Sequence, residues 1–203
     1  MDPSAAGELR SSDSSGPTPV KAQHPRLWSA LIADAELTAR YRGERCGFHS
    51  KVDALGQVLR LMWVSDAFLA QSLYRLKARM QALGIPVLPR LAHRLAMTTA
   101  QVCIGDPVIV RAGIYLPHGQ VVVDGFVEID SGTVIFPWVT VGLRGGNLQG
   151  PKIGRDVQIG TGAKIIGPVT VGAGARIGAN AVVVHDVSAG ATVVGVPAHE
   201  IDD

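Results

Sequence analysis

Apolar positions along this chain follow two different periods in succession. Leu55, Val58, Leu59, Met62, Leu69, Leu73, Leu76, Met80 and Leu83 fall at three- and four-residue steps or their sums. That is the spacing of one face of an α-helix, and it predicts one long amphipathic helix with Lys77 and Arg79 off the stripe. Gly84 and Pro86 end it. Leu27, Leu31 and Leu37 are loosely helical before it, and a shorter helix from Leu88 to about Thr99 follows. Residues 1–22, rich in Ser, Pro, Gly and Ala, carry no periodic apolar face and predict a disordered tail.

Beyond Ile104 the period becomes six. Ile153, Ile159, Ile165, Val171, Ile177 and Val183 are six apart without a miss, and Ile129, Ile135 and Val141 keep the step upstream. Small or branched residues stand four later at Val157, Ala163, Val169, Ala175 and Ala181. A hexapeptide repeat marks a parallel β-helix. Each repeat gives a short strand and a turn, three repeats close a triangular coil, and the aliphatic residue points into a narrow interior. Neighbouring coils cover one another, so stability is cooperative along the stack. The segment from Gly142 to Lys152, GLRGGNLQGPK, is too polar and glycine-rich to continue the coil and predicts a projecting loop. The expected organisation is a tail (1–22), a helical domain (23–100), a β-helix (101–198) with loop 142–152, and a short tail (199–203). Its class is α+β by segregation.

Composition narrows the chemistry. Of 203 residues, 47% are hydrophobic, 18% charged and only 5% aromatic, with 24 glycines, as a tight interior with many turns requires. A net charge of +2 without a basic run excludes nucleic acid and anionic membranes as expected partners. No secretory signal or membrane-length apolar run is present, which predicts a cytoplasmic protein. Cys46 and Cys103 form no CxxC pair and are expected as buried free thiols. The chain has no P-loop and no GxSxG nucleophile motif.

Several pieces together carry a family resemblance: LPHGQVVV around His118, VTVG ending at Gly142, Pro151-Lys152-Ile153 after the loop, IGTGAKIIG, IGANAVVV and GVPA at 195–198. The run from about Ile104 to Ala198 resembles the serine O-acetyltransferase family of hexapeptide acyltransferases, which also carry an N-terminal helical domain. The resemblance implies a left-handed parallel β-helix, a homotrimer with its active site between subunits, acetyl-CoA as co-substrate, and a histidine general base acting on a small acceptor's hydroxyl. It implies L-serine first as acceptor, with a sugar or other small hydroxylated metabolite as the alternative. A dimer of trimers stays open. This sequence departs from the family in three places. Pro117 stands where an aspartate precedes the histidine, and Gln149-Gly150 stand where an Arg-His pair precedes Pro-Lys.

Acetyl transfer from a thioester needs a base near neutral pKa and donors for the developing oxyanion, and it needs no metal. His118, in a Pro-His-Gly turn, is the candidate base, with a structural turn histidine as the alternative. Gly142, Thr161 and Ala179 are candidate backbone contacts for coenzyme A, with His185 where sugar-acetylating relatives carry a lysine. Thr161 and Ala179 are one coil apart. Arg144 is a candidate carboxylate-binding residue, and Trp138, too large for the interior, is expected to point outward at the acceptor or at a subunit contact. His24, His49 and His93 are read as structural, and His199 as a loop residue or a second coenzyme A contact. A γ-type carbonic anhydrase would need His118, His185 and His199 to converge on a metal. The other rival is a non-catalytic structural module. Ile201 is not terminal, so a cysteine synthase complex is not expected.

Overall fold

The computed structural model describes residues 24–201. The expected disordered tail, 1–22, therefore lies outside the described residues. Among those described, four helices come first: α1 (Leu27–Tyr41), α2 (Lys51–Val64), α3 (Asp66–Ala82) and α4 (Leu88–Ala100). None is long and apolar enough to cross a membrane.

The single long helix expected over 55–83 is two helices, α2 and α3, divided at Ser65. Its backbone is extended (φ −139°, ψ 108°); its N–H closes α2 on the Leu61 carbonyl, and its hydroxyl caps α3 by accepting from the Phe68 N–H. A one-residue break leaves the apolar spacing almost in phase, so periodicity alone does not show it. The stripe is also not uniformly inside. Leu55, Leu59, Leu76 and Leu83 are exposed, while Gln71, Arg75 and Lys77 are buried. Lys77, expected off the stripe, is only 2% exposed.

The reason is that α3 lies across the open end of the β-helix. The first coil has no coil before it to accept or donate its backbone hydrogen bonds, and unpaired buried carbonyls are costly. Side chains of α3 supply the partners. Gln71 donates to the Ile114 carbonyl (3.1 Å), Tyr74 to Val108 (2.8 Å), Arg75 to Val110 (2.5 Å) and Arg111 (2.7 Å), and Lys77 to Ile104 (2.6 Å). Asp34 of α1 balances the Arg75 charge with two contacts, at 2.9 and 3.1 Å, and accepts the Gly113 and Ile114 N–H groups. Burial pushes the Tyr74 phenol up to about 12, so it stays a donor.

The strands are β1 (Val102–Ile104), β2 (Ile109–Val110), β3 (Val121–Val123), β4 (Phe126–Ile129), β5 (Val134–Ile135), β6 (Thr140–Gly142), β7 (Gln149–Ile153), β8 (Gln158–Ile159), β9 (Lys164–Ile166), β10 (Thr170–Val171), β11 (Arg176–Ile177), β12 (Val182–Val183), β13 (Thr192–Val194) and β14 (His199–Ile201). They form three sheets, in the orders β1-β3-β6-β9-β12, β10-β7-β4-β2 and β14-β13-β11-β8-β5. All pairs are parallel except β13 with β14. Each turn of chain visits the three sheets in order, the three-sided left-handed β-helix expected of hexapeptide repeats. Every repeat aliphatic from Ile129 to Val183 is buried, and so are Val157, Ala163, Val169, Ala175 and Ala181.

Val122 pairs with Thr140, a coil of 18 residues, but Thr140 pairs with Lys164, a coil of 24. The extra six residues, 143–148, are the projecting loop. It is shorter than the expected 142–152, because Gly142 ends β6 and Gln149–Ile153 is strand β7. The pairing moves from Phe126↔Gln149 to Glu128↔Lys152, so β7 carries one extra residue there. This bulge buries Gly150 and Pro151, whose types alone suggest a loop. At the far end, three of the five residues expected as a tail form β14, whose antiparallel pairing covers β13. The cysteines also differ from expectation. Cys46 is exposed, and Cys103 is half-buried on the outer side of β1, its thiol pushed up by burial and by Asp124.

Breaking the clamp leaves a buried charge unpaired. Asp34→Ala is expected to cost about 3–5 kcal/mol, read as a fall in the urea midpoint. His24, set edge-on against Tyr74, is held below the usual histidine value by burial and then by Arg75, Lys77 and Arg111. The unfolded chain then takes up the proton first. Stability is full above about pH 6.5 and falls as pH drops below it. His24→Phe is expected to flatten this acid-side slope in melts between pH 7 and 5.

Candidate functional site

The prism has three edges, and the turns stacked along each one place the candidate residues. His118 lies between Tyr115, bridged to Val134 of β5, and strand β3. Trp138 lies between β5 and β6, Thr161 between β8 and β9, and Ala179 between β11 and β12. All four therefore share one edge. The backbone hydrogen bonds run down it: Trp138 N–H to Gln120 carbonyl (2.8 Å), Gly162 N–H to Pro137 (2.9 Å) and Asn180 N–H to Thr161 (2.8 Å). The corner residues Gln120, Trp138, Gly162 and Asn180 all have positive φ, from 58° to 76°.

Gly142, Arg144 and His185 stand elsewhere. Gly142 ends β6, Arg144 follows in the loop, and His185 lies between β12 and Val187, which is bridged to Val171 of β10. These three share the next edge, across the face of the first sheet. The candidate coenzyme A residues are thus divided, with Thr161 and Ala179 beside His118 and with Gly142 and His185 beside the loop. Thr161, Ala179, Arg144 and His185 are exposed, and Gly142 is buried. His199 is on β14 at the end of the stack, its Nδ1 3.2 Å from the Pro197 carbonyl. Among the described residues no three His, Cys, Asp or Glu side chains group to hold a metal.

His118 is exposed, and the fold fixes its turn through the backbone. The Gln120 N–H donates to the Ala100 carbonyl at the end of α4 (2.9 Å). A Cβ on Gly119 would lie 1.7 Å from that same oxygen. Only glycine permits the turn to approach so closely, so the helical domain positions the histidine. Gly119 was not among the candidates, although a glycine directly after a turn histidine is the visible trace of this contact. Phe136 is a further aromatic in the next coil; Tyr115 bridges to Val134, a coil of 19 residues there, which sets Phe136 level with Pro117. Thr161 and Ala179 are placed on the histidine's edge only by the 24-residue coil, whose length the sequence does not reveal.

Comparison with known proteins agrees with the fold. The family model described as bacterial transferase hexapeptide (six repeats) matches residues 150–185. The serine acetyltransferase of Mycobacterium tuberculosis is 37% identical over 121 residues, covering 58% of this chain and 53% of that protein. The serine acetyltransferase of Helicobacter pylori strain J99 is 35% identical over 132 residues, covering 63% of this chain and 77% of that protein. The chain belongs to the serine acetyltransferase family. It spans about half the length of the first curated relatives it matches. The crystal structure of serine acetyltransferase from Brucella abortus strain S19 in complex with coenzyme A superimposes with a TM-score of 0.70 at 26% identity, covering 85% of this chain and 66% of that one.

Against the serine acetyltransferase family, the loop's return is the departure with the clearest physical content. A Cβ at Gly150 would lie 2.5 Å from Val127 Cγ2, so the bulge in β7 admits no side chain where the family resemblance places a histidine.

Gly119→Ala is expected to lower stability by about 1–3 kcal/mol through overpacking, a drop of several degrees in Tm. Gly56→Ala is the control: it lies within α2 with open space around it and should raise Tm slightly.

Proposed function

We propose that this chain transfers an acetyl group from acetyl-CoA to the hydroxyl of a small acceptor, L-serine first, with His118 as the general base. The single observation that carries the reading is the edge where His118 stands over Thr161 and Ala179, in a chain of the serine acetyltransferase family. The imidazole takes the acceptor's hydroxyl proton as that oxygen attacks the acetyl carbonyl carbon. The carbon–sulfur bond then breaks, and the proton passes from the imidazole to the departing thiolate. Backbone N–H groups at the turns serve the oxyanion.

The coenzyme lies along the edge, with Thr161 and Ala179 beside it. The loop edge, bearing Gly142, Arg144 and His185, completes the site from a neighbouring copy in a homotrimer. Support for that assembly comes from the division of the candidates over two edges that one chain keeps apart. Arg144 then meets the acceptor's carboxylate. The same reading makes this a cytoplasmic enzyme.

The test is coenzyme A released from acetyl-CoA with L-serine as acceptor. The expected result is turnover that falls about 10²–10⁴-fold in His118→Ala with the assembly's mass unchanged. Full activity in that variant would overturn the role of His118.

A further inference from the structure

Trp138 is out of character with its position. Along its edge the corner residues of positive φ are Gln120, Trp138, Gly162 and Asn180. Glycine and asparagine adopt this conformation readily, whereas a bulky aromatic does so rarely. The backbone is held there at both ends. The N–H donates to the Gln120 carbonyl (2.8 Å), and the carbonyl accepts from Lys164 Nζ (2.6 Å). The indole gains little from the fold in return, since the residue is 59% exposed. Backbone strain retained without burial concentrates where a ligand is met. Phe136, two residues earlier and one coil below Pro117, is 36% exposed. Two aromatic surfaces therefore lie in the coil next to the histidine.

The rest of the edge is uncharged. Its turns run Leu-Pro-His-Gly-Gln at 116–120, Phe-Pro-Trp at 136–138, Gly-Thr-Gly at 160–162 and Gly-Ala-Asn at 178–180. Lys164, the nearby cation, spends its ammonium on the Trp138 and Gly162 carbonyls, at 2.6 and 3.0 Å. A zwitterionic amino acid finds no charged partner on this edge. A neutral sugar finds what it needs: a flat aromatic surface for the C–H face of its ring, and the amide of Gln120 for a ring hydroxyl.

We infer that the His118 edge also accepts an uncharged carbohydrate, its pyranose ring stacked on Trp138 and one ring hydroxyl presented to His118. The inference rests on the general-base reading of His118. The acetyl carbon forms its new bond to the sugar oxygen and loses its bond to the coenzyme A sulfur, while the hydroxyl proton passes through His118 to the thiolate.

The experiment compares wild type, Trp138→Ala, Trp138→Phe and His118→Ala. Coenzyme A release is measured with L-serine and with methyl glucoside, methyl galactoside and N-acetylglucosamine, and assembly mass by light scattering. We expect turnover of at least one saccharide. In Trp138→Ala its KM should rise at least tenfold with a smaller change in kcat, and by a larger factor than the KM for L-serine. Trp138→Phe should recover most of the loss. Turnover of L-serine but of no saccharide would overturn the inference, as would equal KM effects on both acceptors or a changed assembly mass in Trp138→Ala. Where neither acceptor is turned over, the proposed function fails on its own account. The Trp138 indole N–H resonance, assigned from the variants, then decides: a shift on titrating the saccharides upholds the platform, and no shift overturns it.

Discussion

A stacked coil must be closed at its first turn, and everything else in this molecule depends on how that is done. Inside the stack each coil satisfies the backbone of its neighbour. The first coil, 102–116, has a neighbour on one side only, and a row of unpaired buried carbonyls would be both costly and open to pairing with another chain. Helix α3 answers with Gln71, Tyr74, Arg75 and Lys77, each donating to a coil carbonyl. Asp34 neutralises the arginine. The helical domain therefore closes the end of the β-helix, and the two share one buried core.

The same contact reaches the candidate site. The end of α4 presents the Ala100 carbonyl to the turn that carries His118, and Gly119 lets the two backbones meet. A histidine on an exposed corner would otherwise be held only by its own short turn. With Gln120 bonded to the helix end on one side and to the coil beneath on the other, the backbone of that turn belongs to the scaffold.

Below that turn the edge is built by repetition. Residues of positive φ stack at each corner, and where the repeat keeps to glycine or asparagine the corner is unremarkable in cost. Trp138 breaks the pattern beside His118, and the loop 143–148 breaks it on the neighbouring edge. A β-helix tolerates such departures at its corners because the interior aliphatic rows, from Ile129 to Val183, carry the packing. Variation in what the edges recognise is thus separated from what holds the coils together.

Much of this was legible in the chain itself. The six-residue rows, the glycine-rich interruption and the helical start follow from the sequence pattern, because a repeat that buries one residue in six leaves that period in the chain; the candidate histidine comes from the family resemblance. What spacing alone could not decide was phase and partnership. Ser65 divides a helix without disturbing the apolar stripe. Lys77 and Arg75 look like solvated charges until the coil end needs their donors. Gly150 and Pro151 look like loop until a bulge admits them to β7. Whether Thr161 shares an edge with His118 depends on a coil being 24 residues rather than 18, which is a fact of register. Local periodicity is written by the interior each residue faces; the pairing of one coil with the next, and of helix with coil, exists only once the chain has closed on itself.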